Sequence, residues 1–210
     1  QLRNSIVISN PLGEDTSIMR TIALPSMMEI LAKNYNNRNA SAALYELARE
    51  YIPTTPDELP VEKNTLIAGL YGDGADFFQM KGIVEELLSA ISVYDYDVEA
   101  CCDNPSYHPG RCAALSSGET PLGIMGEIHP QMLENYGLGM KAYVALLPLE
   151  ALYGSAKAKI EFKPAPKFPA VTRDLAIVCD QATPVLTLEK AIRRAAGKLL
   201  ESVTLFDVYE

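Results

Sequence analysis

No stretch of this 210-residue chain comes near the 18 or so consecutive apolar residues that span a bilayer, and no basic-then-apolar leader opens it. A soluble, cytoplasmic chain with no membrane partner is expected. Cysteine is scarce: Cys101, Cys102, Cys112 and Cys179 form no C-x-x-C pair, so free thiols in a reducing compartment are expected. The two histidines, His108 and His129, both precede proline, which holds them extended at turns. G-x-S-x-G, G-x-G-x-x-G and G-x-x-x-x-G-K are missing, which removes the nucleophile elbow, the dinucleotide fingerprint and the P-loop. Repeats and low-complexity segments are missing too.

What remains is a globular composition, 48% hydrophobic and 21% charged, large enough to bury a full core. The chain opens on Gln1 and stops within what reads as a strand, so both ends are expected to be cut. The net charge of −9 is uneven: residues 1–153 carry 9 basic and 20 acidic residues, whereas residues 154–210 carry 9 and 7. Such an asymmetry suggests two units with different partners.

Apolar spacing predicts short strands over 6–8, 42–47, 65–71, 92–98, 113–115, 123–128 and 142–147, most of them joined as hairpins. The hairpins imply a largely antiparallel sheet. Helices are expected from Pro25 to about Asn36, over 76–91 with Asp76 as cap, and in short form after His129-Pro130 and Pro148. Residues 154–163 read as a linker, rich in lysine. Beyond them, strand 172–179, a helix carrying Val185, Leu188, Ile192, Ala195, Ala196 and Leu199 with Thr187 as cap, and strand 203–209 form a β-α-β, half of a ferredoxin-like fold.

Few residues carry chemistry. Cys101, Cys102, His108 and Cys112 lie close in sequence, but their spacing does not suit a tetrahedral zinc site, and thiols packed as small hydrophobes are the simpler reading. A dyad of Cys112 with His108 or His129 is the nucleophilic alternative. Lys190, Arg193, Arg194 and Lys198 share one broad helix face: either a solvated surface or a contact for nucleic-acid phosphates.

Five strings, in order, decide between these. Asn10-Pro11-Leu12-Gly13-Glu14-Asp15-Thr16-Ser17-Ile18-Met19-Arg20-Thr21 and Leu24-Pro25-Ser26-Met27-Met28-Glu29-Ile30-Leu31 resemble the bacterial phenylalanyl-tRNA synthetase beta subunit. So do His108-Pro109-Gly110-Arg111-Cys112-Ala113, with Cys at a small polar position, and Gly126-Glu127-Ile128-His129-Pro130. Phe168-Pro169-Ala170-Val171-Thr172-Arg173-Asp174-Leu175-Ala176 resembles the opening of its C-terminal anticodon-binding domain.

The resemblance implies an α+β fold, a class II synthetase-like antiparallel sheet with flanking helices followed by a truncated ferredoxin-like β-α-β. Residues 1–153 would be the catalytic-like module, 154–163 a linker, and 164–210 an incomplete anticodon-binding domain. It implies a ligase that joins phenylalanine to its tRNA using ATP and magnesium, built from two alpha and two beta chains. A class II active site needs an arginine after a strand, a Gly-rich strand and an arginine in the last helix. Here Arg49 is expected just past its strand without its usual partner, Tyr143 and Val144 stand where glycines would be, and no arginine follows before Leu152. The pocket should be filled, so no catalytic residue, no metal ligand and no cofactor is expected in this chain. Its role would be a scaffold pairing with the catalytic alpha subunit, with Arg173, Lys190, Arg193, Arg194 and Lys198 toward tRNA. A regulatory small-ligand module and a Cys/His-dependent enzyme are the alternatives.

Overall fold

Two hairpins and one late strand build the main sheet. The computed structural model describes residues 5–55, 58–157, 162, 164 and 167–209. β1 (Ala42–Ile52) runs back along β2 (Val61–Tyr71), with Ala42 opposite Tyr71 and Ile52 opposite Val61. β4 (Tyr107–Ser117) and β5 (Thr120–Ile128) form the second hairpin, and the short β3 (Asp97–Ala100) adds to its outer edge. β6 (Ala142–Pro148) inserts between β2 and β5, giving the order β1-β2-β6-β5-β4-β3, antiparallel throughout.

The sheet is covered on both faces, which is why Ala142 through Leu147 are all buried, as in a central strand packed from two sides. α1 (Leu24–Asn36) covers one face: Met27, Met28 and Leu31 pack with Ile67, Val144 and Leu146. α2 (Phe77–Ala90) and α4 (Leu149–Ser155) cover the other, where Met80, Val84, Leu88 and Leu152 pack with Leu70, Leu122, Tyr143 and Leu147. Asp76 caps α2 as the sequence predicts, its carboxylate accepting from the Gln79 N–H at 2.7 Å. α3 (Pro130–Asn135) bridges β5 to β6. Gly123 is required where it stands: at φ +143, a Cβ there would lie 2.2 Å from the Leu146 carbonyl oxygen.

Several boundaries differ from the periodicity. Ser92 turns off α2 at φ 63, and the Val93 N–H bonds back to the Leu88 carbonyl, so the ladder begins only at Asp97. The left-handed residue after α1 is Arg38, not one of the asparagines. Residues 6–8 form no strand; Val7 makes a single bridge to Ile18. β4 starts at Tyr107 because the register shift between Tyr107 and Cys112 absorbs His108-Pro109-Gly110-Arg111, a bulge that spares Pro109 a ladder bond it cannot donate.

The chain divides into two compact units, residues 1–160 and 161–210. Half of the expected linker 154–163 lies outside the described residues, and Gly154 and Ser155 belong to α4. In the second unit α5 (Val185–Ala196) is followed by a 3-10 turn, Gly197–Leu199. The flanking segments 172–179 and 203–209 are not strands, so the expected β-α-β is a helix between unpaired segments. A split β-α-β explains this: its two strands are not neighbours, and among the described residues no third strand lies between them. Thr187 is not the cap; it sits inside α5, and Pro184 is the N-cap residue. Among the described residues no helix is long and apolar enough to cross a membrane.

Candidate nucleic-acid interface

A nucleotide site on the sheet would need bare backbone, and the central strand offers none. Tyr143 and Val144 are 4% and 0% exposed, each packed into the core on its own face. α4, which follows β6 directly, carries no basic residue. Arg49 does not follow β1 but lies within it, opposite Asn64, with its Nη1 2.9 Å from a Glu62 carboxylate oxygen. β1 extends to Ile52 because Tyr51 and Ile52 still find partners in Glu62 and Val61. Along β6 and α4 the described residues thus present neither bare backbone nor a cation to a nucleotide. Beside the end of α1 an open hollow of about 450 Å³ is lined by Tyr35, Asn36, Arg38, Asn39, Ala40 and Met140, with Arg38 its one charged group.

The histidines serve the backbone. His108 Nδ1 accepts from the Gly110 N–H at 3.0 Å inside the bulge, and His129 Nδ1 caps α3, accepting from the Gln131 N–H at 3.1 Å. The cysteines are all free thiols, and among the described residues no three His, Cys, Asp or Glu side chains converge to hold a metal. Burial, followed by the nearby Cys101 sulphur, pushes the Cys112 thiol up to about 12, the opposite of an activated nucleophile.

The strongest polar constellation is one that sequence patterning missed. Glu127, only 2% exposed on β5, receives Arg111 Nη1 at 3.0 Å on both carboxylate oxygens, with the Tyr143 hydroxyl at 3.3 Å and Lys141 Nζ at 3.8 Å. Burial and then the Glu127 charge raise the Tyr143 phenol, so it stays a donor. Its signal was visible in the two strings H-P-G-R and G-E-I-H-P, whose charged members are this pair.

The basic residues lie elsewhere. On α5, Lys190, Arg193 and Arg194 stand at i, i+3 and i+4, opposite the half-buried Leu188 and Ile192, with Lys198 in the turn that follows. Arg193 and Arg194 occupy the last helical turn, where the macrodipole favours cations. Both are exposed, as are Lys190 and Lys198. Arg173 is exposed on the segment before α5, its Nη1 donating to the Thr172 carbonyl at 2.8 Å. Lys190, Arg193 and Arg194 thus share one side of α5, Lys198 follows in the 3-10 turn, and Arg173 belongs to an earlier segment.

Comparison with known proteins gives the context. Residues 1–149 match the model of the phenylalanyl tRNA synthetase beta chain CLM domain, and residues 166–210 that of the ferredoxin-fold anticodon binding domain. The phenylalanine–tRNA ligase beta subunit of Clostridium tetani is 43% identical over 210 residues, covering 100% of this chain and 26% of its own length. That of Bacillus subtilis is 33% identical, covering 97% of this chain and 27% of its own length. This chain thus spans about a quarter of the length of the curated relatives it matches. Among solved structures, a pyrrolysyl tRNA synthetase of Desulfitobacterium hafniense shares the fold, with a TM-score of 0.57 over 72% of this chain and 52% of that one at 11% identity.

Proposed function

Since the chain belongs to the phenylalanyl-tRNA synthetase beta-chain family, we propose that it is the silent scaffold and tRNA-contact part of a phenylalanine–tRNA ligase beta subunit in the cytoplasm. In this reading the first unit keeps a class II-like core without its chemistry, and residues 164–210, beyond a linker that starts after α4, are part of an anticodon-binding domain. ATP, magnesium and phenylalanine belong to the alpha subunit, in an assembly of two alpha and two beta chains. The observation that carries the reading is the filled sheet: β6 is buried from Ala142 to Leu147 and α4 lacks a cation for a triphosphate.

The exposed cations Arg173, Lys190, Arg193, Arg194 and Lys198 then face tRNA phosphates. Electrostatic contact of this kind positions the RNA without reading sequence. Two assays test the proposal on the beta subunit assembled with its alpha partner. Arg193→Glu with Arg194→Glu should weaken tRNA binding, lower the salt slope by roughly 0.7 to 0.9 per lost contact, and leave phenylalanine-dependent ATP–pyrophosphate exchange intact. Unchanged affinity and slope would reduce the helix to a solvated face. Exchange by this chain without the alpha subunit would overturn the silent core.

A further inference from the structure

The β3–β4 edge carries a feature that tRNA recognition does not use. The last pair in its register is Ala100 with Ala113, and the next step continues it: the Cys101 N–H donates to the Cys112 carbonyl at 2.9 Å. Cys101, the first residue past β3, therefore stands opposite Cys112 on β4 in the continued register, so their side chains project to the same face. A hydrogen-bonded antiparallel pair sets its Cα atoms about 5.5 Å apart, inside the roughly 4.4–6.8 Å range that a disulfide spans, and its Cβ atoms at the wide end of about 4.5–5.5 Å, so closure must draw the two Cβ atoms to about 4.5 Å or less. Cys101 is half-buried and reachable, its thiol donating to an Asp103 carboxylate oxygen at 3.3 Å, while Cys112 is buried behind it. The Cys101 sulphur is also among the groups that raise Cys112.

We propose that Cys101 and Cys112 form a redox-modification site, a cross-strand dithiol that a small disulfide of the glutathione type closes into an intramolecular bond. The Cys101 thiolate attacks one sulphur of the reagent, forming a mixed disulfide and releasing one small thiolate. Cys112 then gives its proton to solvent, and its thiolate attacks Cys101 Sγ. The protein Sγ–Sγ bond forms, the mixed bond breaks and the second small thiolate leaves. The protein dithiol loses two electrons and two protons; the reagent gains them as two thiols. Burial keeps the Cys112 proton in place near neutrality, so closure quickens as pH rises. Its rate rises about tenfold per pH unit near neutrality.

The test uses the full chain with Cys102→Ser and Cys179→Ser, which leaves the two thiols in question. Folded protein is incubated with oxidised glutathione, acid-quenched, and alkylated after denaturation. Loss of both alkylatable thiols without a glutathione adduct, accelerating about tenfold per pH unit, is the expected result, and Cys112→Ser should stop at the mixed disulfide. Peptide mapping of the oxidised wild-type chain is the second measurement. It should recover a Cys101–Cys112 cross-link; a mixed disulfide that never closes, or closure through Cys102 instead, overturns the proposal.

Discussion

Arg111 and Glu127 face each other across the β4–β5 hairpin, one guanidinium nitrogen 3.0 Å from both carboxylate oxygens. Glu127 is buried and Arg111 half-exposed, so the pair is a buried anion held by a cation that reaches in from the surface. The bulge His108–Arg111 aims that cation: the ladder slips by the residues that would otherwise keep Arg111 in register.

Removing the cation should cost more than removing the pair. Arg111→Met leaves Glu127 with only Lys141 and Tyr143, and the chain should lose about 2 kcal/mol, below the full cost of orphaning a wholly enclosed charge. Arg111→Met with Glu127→Gln should recover part of that loss. Urea unfolding of the two variants checks the order, and equal destabilisation would contradict it.

Gly123 admits no side chain. Its positive φ and the Leu146 carbonyl beside it mean that Gly123→Ala must strain or displace β5 against β6. A loss of more than about 2 kcal/mol is expected, read as a lower thermal midpoint, whereas Gly118→Ala in the open turn should cost less.

Stability should fall in alkali. The ordinary thiol value of 9.0 applies to the unfolded chain, and burial lifts Cys112 to about 12 in the fold. Between those values the unfolded state releases a proton that the folded state keeps, so stability is intact below 9.0 and declines as pH rises toward 12. Cys112→Ala should flatten the decline without abolishing it, since burial raises Tyr107 as well. Urea midpoints measured at about pH 8 and about pH 10.5 provide the comparison.

Large apolar side chains stay exposed on the first unit. Tyr45 and Leu47 on β1 and Phe78 on α2 are 75%, 66% and 74% exposed. The isolated chain should self-associate at rising concentration through such a surface. Tyr45→Ser with Phe78→Ser should shift sedimentation toward monomer, while an unchanged profile would assign association elsewhere.

Local signals carried the interior of the first unit well. The stripe of α2, its Asp76 cap and the hairpin around Gly118 all depend on neighbours within a few residues, which a one-dimensional reading sees. Elements decided by distant partners were harder. Tyr51 and Ile52 extend β1 only because Glu62 and Val61 lie across from them, and this moved Arg49 into the strand. α1 and α2 bury their apolar stripes on opposite faces, and β6 supplies core residues to both, a division that local spacing does not reveal. The Glu127 cluster needs three strands in register, so only its two strings showed. The basic helix was legible from spacing alone, whereas segments 172–179 and 203–209 have strand-like sequences without a ladder to join.

The position of β6 also bears on the order of assembly. Hairpins β1–β2 and β4–β5 close locally and can form within microseconds, but neither borders the other in the sheet. Among the described residues the only strand that touches both is β6, residues 142–148, more than seventy residues after β2. During synthesis the two halves must wait as separate hairpins with their inner edges bare until that segment leaves the ribosome. Closing this long loop is the entropically costly step, so folding of the sheet is gated by its last strand.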